Sequence, residues 1–163
     1  IQYAEPERFG VDRLAALVGA RALLGARPLV VVDVGTALTV DVLDASGLHR
    51  GGWIMPGPRL LAASLGAGTA QLTHVDWSES GVSCAPQHAS MQAVVAGVLC
   101  MAQGGVRHAV QRAASVLGAQ PDVVVCGGDA TILADVLAEY ILHLHAALVL
   151  DGLTVMAKQG AHP

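Results

Sequence analysis

The order in which short β-branched runs and helical stretches follow one another constrains this chain more than any single residue does. Leu29-Val30-Val31-Val32 is a compact β-branched run, the pattern of a buried strand. It stops at the turn Asp33-Val34-Gly35-Thr36. Leu38, Val40 and Val42 then alternate with Thr39, Asp41 and Leu43, which predicts a second strand. His49 to Met55 predicts a third, with Gly51-Gly52 inside it and Pro56-Gly57-Pro58 at its end. Arg59 to Leu65 reads as a short helix, and residues 67–89, with scattered Thr, Ser, Gly and Pro, as a loop. A long helix is predicted from Ser90 to about Leu117, bent at Gly104-Gly105. Pro121 precedes the strand Asp122 to Cys126, and Gly127-Gly128-Asp129 leads into a helix from Ala130 to Tyr140. Ala146 to Leu150 predicts a last strand and Asp151 to Lys158 a closing helix. Ahead of all this, Leu14, Leu17, Val18 and Leu24 recur at helical spacing, and Gly25 and Pro28 end that helix.

From residue 28 the order is therefore β-β-β-α-β-α-β-α. Meandering strands followed by alternating helices and strands make an α/β fold, a mixed sheet covered by helices. This resembles the domain plan of the actin-like and ribonuclease-H-like group. Many ATP-using members of that group pair two such domains and hold the nucleotide between them. On that reading residues 28–163 form one complete actin-like domain. Residues 1–27 are the remnant of a preceding domain and carry Gly10-Val11-Asp12-Arg13. The first residue is Ile rather than Met, as expected of a fragment or a processed product.

Composition excludes several function classes. With 53% hydrophobic and 13% charged residues among 163, the chain is rich in core and long enough for one ordinary domain. A net charge of -4, no Lys/Arg-rich run and 3% aromatics argue against a nucleic-acid partner. Cys84, Cys100 and Cys126 show no C-x-x-C spacing, so buried, reduced thiols of a cytoplasmic protein are expected. His143 and His145 could share a strand face but lack a partnering Cys or carboxylate close in sequence. No signal peptide is recognisable. Gly or charge interrupts the apolar stretches before about 18 residues, so no membrane span is expected.

Three short motifs could carry chemistry. Asp33-Val34-Gly35-Thr36 between two strands presents backbone N–H groups and the Thr36 hydroxyl, which suits phosphate oxygens, and Asp33 at the strand end is placed to hold a cation or a water. The same four residues also make an ordinary hairpin turn. Gly127-Gly128-Asp129, after a buried strand and before a helix, lets an anionic ligand approach the backbone. It equally supplies a simple N-cap through Asp129. Gly10-Val11-Asp12-Arg13 opens a helix, where an Asp is electrostatically ordinary.

Together and in this order the motifs resemble the type III pantothenate kinase family, which includes the Bvg accessory factor proteins. The resemblance runs from Tyr3 to about Leu153. It takes in Asp33 to Asp41, Gly51-Gly52-Trp53-Ile54-Met55-Pro56-Gly57, Thr69-Ala70-Gln71-Leu72, Ser90-Met91-Gln92-Ala93-Val94 and Gly127-Gly128-Asp129. The resemblance implies ATP-dependent phosphorylation of pantothenate at the start of coenzyme A synthesis, with Mg²⁺ and a monovalent cation, K⁺ or NH₄⁺. It implies Asp12 as general base, Tyr3, Gly10, Arg13 and Ser90 as substrate contacts, and Asp33 as the monovalent cation ligand. It also implies Gly35 and Thr36 as the second phosphate loop, and Gly127 and Gly128 on the adenosine side of ATP.

The chain departs from the family pattern in three places. Ser90 stands where Thr is expected, and Thr73 where Pro is expected. The opening D-x-G-N-[ST] phosphate loop is absent. Phosphoryl transfer rests on positioning and charge neutralisation, so losing a donor set costs roughly 2–4 kcal/mol of transition-state stabilisation. These residues by themselves are expected to be inactive. A non-catalytic accessory role and a related phosphotransferase acting on another substrate are the alternatives. A homodimer is expected as well. The 53% hydrophobic content and the stripe Met91, Val94, Val95, Val98 and Met101 exceed what one core needs, and family members share the substrate site between protomers.

Overall fold

The structure is a computed structural model that describes residues 5–68, 84–134, 140 and 142–160. A single 3-10 turn at Pro6–Arg8 leads into helix α1, Val11–Leu24. Strands β1 (Leu29–Val34), β2 (Ala37–Leu43) and β3 (His49–Pro56) follow, then helices α2 (Pro58–Gly68) and α3 (Ser90–Leu117). Strand β4 (Asp122–Cys126), helix α4 (Thr131–Ala134), strand β5 (Leu142–Leu144) and helix α5 (Leu148–Gly160) complete the order. The five strands form one sheet in the order β3-β2-β1-β4-β5. β1 to β3 pair antiparallel, whereas β4 runs parallel to β1 and β5 parallel to β4. This is the mixed sheet that the sequence order predicts.

β1 is central and covered on both faces, which is why it reads as an unbroken Val run. Val30, Val32 and Val34 face Val106, Val110 and Ala113 of α3, together with Val40, Val123 and Val125. Leu29 and Val31 face Ala16, Leu17 and Ala20 of α1 and Leu148 of α5. Each fully buried Val or Leu contributes about 1.5–3 kcal/mol relative to exposure. The two cores together therefore lock the register of β1. α3 is the only helix among the described residues long and apolar enough to cross a bilayer. Its buried residues recur at helical spacing, from Val95 through Leu99, Ala102, Val106, Ala109 and Ala113, and lie in the protein core.

α1 and α5 touch backbone to backbone. A Cβ built on Gly152 would overlap the Ala15 carbonyl, and one on Gly19 would overlap the Leu148 carbonyl. The helix at residues 11–24, separated by the sequence reading from the domain beginning at 28, thus packs on the same sheet through α5 and β1.

One element differs from its sequence expectation. Residues 146–150 are not a strand: Ala146 and Ala147 form a turn and α5 begins at Leu148, while the strand lies earlier, at Leu142–Leu144. Ala-Ala-Leu-Val-Leu has no decisive period, and the contact of Leu148 and Gly152 with α1 decides for helix. α3 runs from Ser90 to Leu117 as one helix, Gly104 and Gly105 included. Helix α4 is described only to Ala134, so most of the helix expected from 130 to 140 lies outside the described residues.

Candidate active site

The candidate site lies where β1 and β4 end and α1 begins. Gly10 is the N-cap of α1, and its carbonyl accepts the Leu14 N–H at 3.0 Å. Asp12 stands exposed in the first turn, where a negative charge is favoured by the helix dipole. Asp33, near the end of β1, is half-buried. Its burial, and next to that the negative charge of Asp12, raise its pKa above the ordinary carboxylate value. The fold therefore brings together two carboxylates that are far apart in sequence, on different elements.

Three turns converge at the same end of the sheet. The Gly35 N–H donates to the Ala37 carbonyl at 3.0 Å, which closes the turn between β1 and β2, and Thr36 is exposed on it. The Gly57 N–H donates to the Thr36 carbonyl at 2.9 Å, and the Asp129 N–H to the Val34 carbonyl at 3.0 Å. Gly127 has φ 96°, and a Cβ there would overlap Val34 and the Asp33 carboxylate. Only glycine allows that backbone to lie against Asp33. Gly128 beside it is exposed. Half-buried Gly35 and exposed Gly128 leave backbone accessible at two adjacent turns, which suits close approach of a polyphosphate.

Arg59, at the start of α2, ties two of these turns together. Its Nε donates to both Asp129 oxygens at 3.0 and 3.1 Å. The Asp129 side chain, an N-cap candidate in the sequence, is thus engaged by Arg59. Cys126, paired with Asp33 across β1 and β4, is buried. Burial first, then the Asp33 charge, push its thiol pKa up to about 12, so it is inert as a nucleophile. Of the other cysteines Cys84 is half-buried and Cys100 exposed, so the expectation of buried thiols holds for Cys126 only.

Arg13 and Ser90 have different surroundings. Arg13 donates from Nε and Nη2 to the two oxygens of Asp41, at 2.9 and 2.6 Å. Ser90 is exposed at the start of α3 and lines a groove of about 650 Å³ between α2 and α3, with Leu61, Ser64, Val94 and Met101. Tyr3 and the segment Thr69 to Leu72 lie outside the described residues. His143 and His145 do not act as a pair. The His145 Nε2 lies 2.7 Å from Asp151, and the His143 Nε2 lies 3.9 Å from Asp122. Sequence reasoning missed Asp41, His49 and Arg59 as members of the site. In the sequence alternation Asp41 falls with Thr39 and Leu43, opposite Leu38, Val40 and Val42, and it is buried in the fold on the face that carries α1.

Solved structures share this architecture. A protein from Campylobacter jejuni described as a Baf family transcriptional activator superposes with TM-score 0.66 at 23% identity, over 98% of this chain and 67% of that one. The activator of the 2-hydroxyisocaproyl-CoA dehydratase from Clostridium difficile, with bound ADPNP, gives 0.57 at 16% identity, over 93% and 70%. An archaeal actin homologue gives 0.54 at 13%, over 91% and 54%. The fold is that of an actin-like α/β domain. Residues 1–112 match the family described as type III pantothenate kinase. The chain is 41% identical to the type III pantothenate kinase of Xanthomonas campestris pv. campestris over its whole length, which spans 64% of that relative. It is 41% identical to that of Stenotrophomonas maltophilia over 94% of this chain and 60% of the relative. The chain belongs to the type III pantothenate kinase family.

Proposed function

We propose that the protein carrying these residues transfers the terminal phosphoryl group of ATP to the primary hydroxyl of pantothenate in the cytoplasm, the first step of coenzyme A biosynthesis. The observation that carries this reading is the approach of Asp12 to Asp33 beside the three converging glycine turns. Asp12, exposed at a helix start, takes the proton of the attacking hydroxyl. Gly35 and Thr36 form the loop that faces the phosphates, with the Thr36 hydroxyl as donor, and Gly127 and Gly128 lie on the adenosine side of the nucleotide. Asp33, a single half-buried carboxylate at a strand end, suits a monovalent cation, K⁺ or NH₄⁺. Mg²⁺ accompanies the nucleotide and, when bound, neutralises phosphate charge. Gly10 and Arg13 contact pantothenate, and Tyr3 belongs to the same contact set.

The proposal concerns the whole protein of which these residues are part, since the chain spans 64% of the Xanthomonas relative. It includes a homodimer in which Ser90 reaches the partner's substrate through the α2–α3 groove. Met101 is 64% exposed in that groove, an apolar surface that a partner protomer would cover.

The test is turnover of ATP and pantothenate by the full-length protein, read as ADP release, in K⁺ and in Na⁺ at equal ionic strength. Asp12→Asn is expected to lower kcat by about 10²–10⁴-fold with ATP binding retained. Near-normal turnover of that variant removes Asp12 as the base. Equal rates in K⁺ and Na⁺ remove the cation role of Asp33.

A further inference from the structure

Beneath the α1 start lies a buried charged cluster that the proposed chemistry does not by itself require. Asp41 sits in β2 on the α1 side of the sheet and is 2% exposed. Its Oδ1 accepts from Arg13 Nη2 at 2.6 Å and lies 2.8 Å from His49 Nε2, while its Oδ2 accepts from Arg13 Nε at 2.9 Å. His49 is 1% exposed, and the Arg13 side chain 11%. The Arg13 guanidinium also lies 4.5 Å from the Phe9 ring centre, and Phe9 meets His49 edge-on at 5.0 Å between centres. Gly52, opposite Asp41 on β3, leaves the space that this carboxylate occupies, since a Cβ there would come within 2.7 Å of Oδ1.

Burial opposes ionisation of Asp41, yet hydrogen bonds from His49 and Arg13, and their charge, outweigh it and hold the carboxyl below its ordinary value. Asp41 is thus an anion, and the His49 Nε2 facing it carries the proton. A buried ion pair is a weak stabilising device, because desolvation offsets most of its attraction and apolar packing would serve as well. Orientation is what it supplies. A guanidinium held at two N–H groups by a carboxylate has a fixed plane and direction. Arg13 immediately follows Asp12 in the first turn of α1, so the same grip sets the position of that turn over β2.

We infer that Asp41, braced by His49, is a positioning residue that orients Arg13 and the first turn of α1 toward an anionic substrate. This rests on the proposed kinase reading, in which pantothenate offers Arg13 a single charged group, its carboxylate. The discrimination between the acid and a neutral analogue then depends on Asp41, a residue that touches neither.

The experiment compares pantothenate with its neutral alcohol analogue, pantothenol, in the full-length protein. Asp41→Asn is expected to lower kcat/KM for pantothenate by about 10–100-fold, the range of one misoriented charged contact. It leaves KM for ATP unchanged and abolishes the preference for pantothenate over pantothenol. His49→Gln keeps an N–H donor toward Asp41 and is expected to change the same preference several-fold in the same direction. It decides the matter if Asp41→Asn does not fold. Folded variants that keep the wild-type preference, or that lose rate equally on both compounds, overturn the positioning role. A wild-type protein that phosphorylates neither compound overturns the kinase reading, and this inference with it. Active wild-type with unchanged variants overturns only the inference.

Discussion

The two helix pairs that flank the sheet are built on opposite plans. Across α1 and α5, Gly19 and Gly152 bring the backbones into direct contact, Gly152 against Ala15 and Gly19 against Leu148. Across α2 and α3, Leu61, Leu65, Val94 and Met101 line a groove of about 650 Å³. Small residues at a crossing let helices close, whereas bulky ones on one flank leave a space with apolar walls. The closed pair holds the first turn of α1, with Asp12 and Arg13, at a set distance from the sheet. The open pair offers a surface to something else. Rigidity and availability are thus assigned to different sides of one domain.

That contrast is broken most severely at the closed seam. Gly152→Val places a branched side chain where even a single Cβ overlaps the Ala15 carbonyl. Overpacking costs of 1–3 kcal/mol are typical and rise where backbone is the obstacle. Loss of the cooperative urea transition, or a large drop in its midpoint, is expected. An unchanged midpoint would show that the helices separate freely. At the open pair, Met101→Asp is expected to change the unfolding free energy of the protomer by no more than about 0.5 kcal/mol, as surface changes do. It should weaken the proposed dimer at least ~10-fold, equivalent to about 1.4 kcal/mol, read by light scattering across a dilution series. A dimer that persists at equal strength places the interface elsewhere. The smallest effect belongs to Gly104→Ala on the exposed side of α3, where a Cβ meets nothing within 4 Å. A gain of about 0.5–1 kcal/mol in unfolding free energy is expected from helix propensity and reduced unfolded-state freedom. A loss there would mean that this side of α3 is already packed.

Much of this was legible in the sequence, for identifiable reasons. The β1 run announces itself because covering both faces leaves no polar position until Asp33. Gly127 marks its turn because few other residues reach φ 96°, and Gly35 and Gly128 mark theirs as small turn residues without needing a positive φ. Residues 146–150 were misread because two alanines and three aliphatic residues fit either period, and the deciding contact, Gly152 on Ala15, joins distant parts of the chain. The Arg13–Asp41–His49 cluster was hidden for the same reason. It depends on the register of β2 against β3 and on where α1 docks, and no local pattern encodes either. For Ser90 only a resemblance supplied a role, and the fold places it in the α2–α3 groove, on a different side of the domain from Asp12.

The seam between α1 and α5 also has a consequence in time. A ribosome delivers α1 before any strand of the sheet and α5 after all of them, so the two glycine-bearing surfaces meet only when the intervening strands are in place. Closing so long a loop adds little further entropy per residue, but contacts this distant in sequence slow folding. Until α5 arrives, the Ala15, Leu17 and Ala20 surface has only the sheet to lie on. The first turn of α1, with Asp12, would then take its final position only once α5 has docked, among the later events of folding.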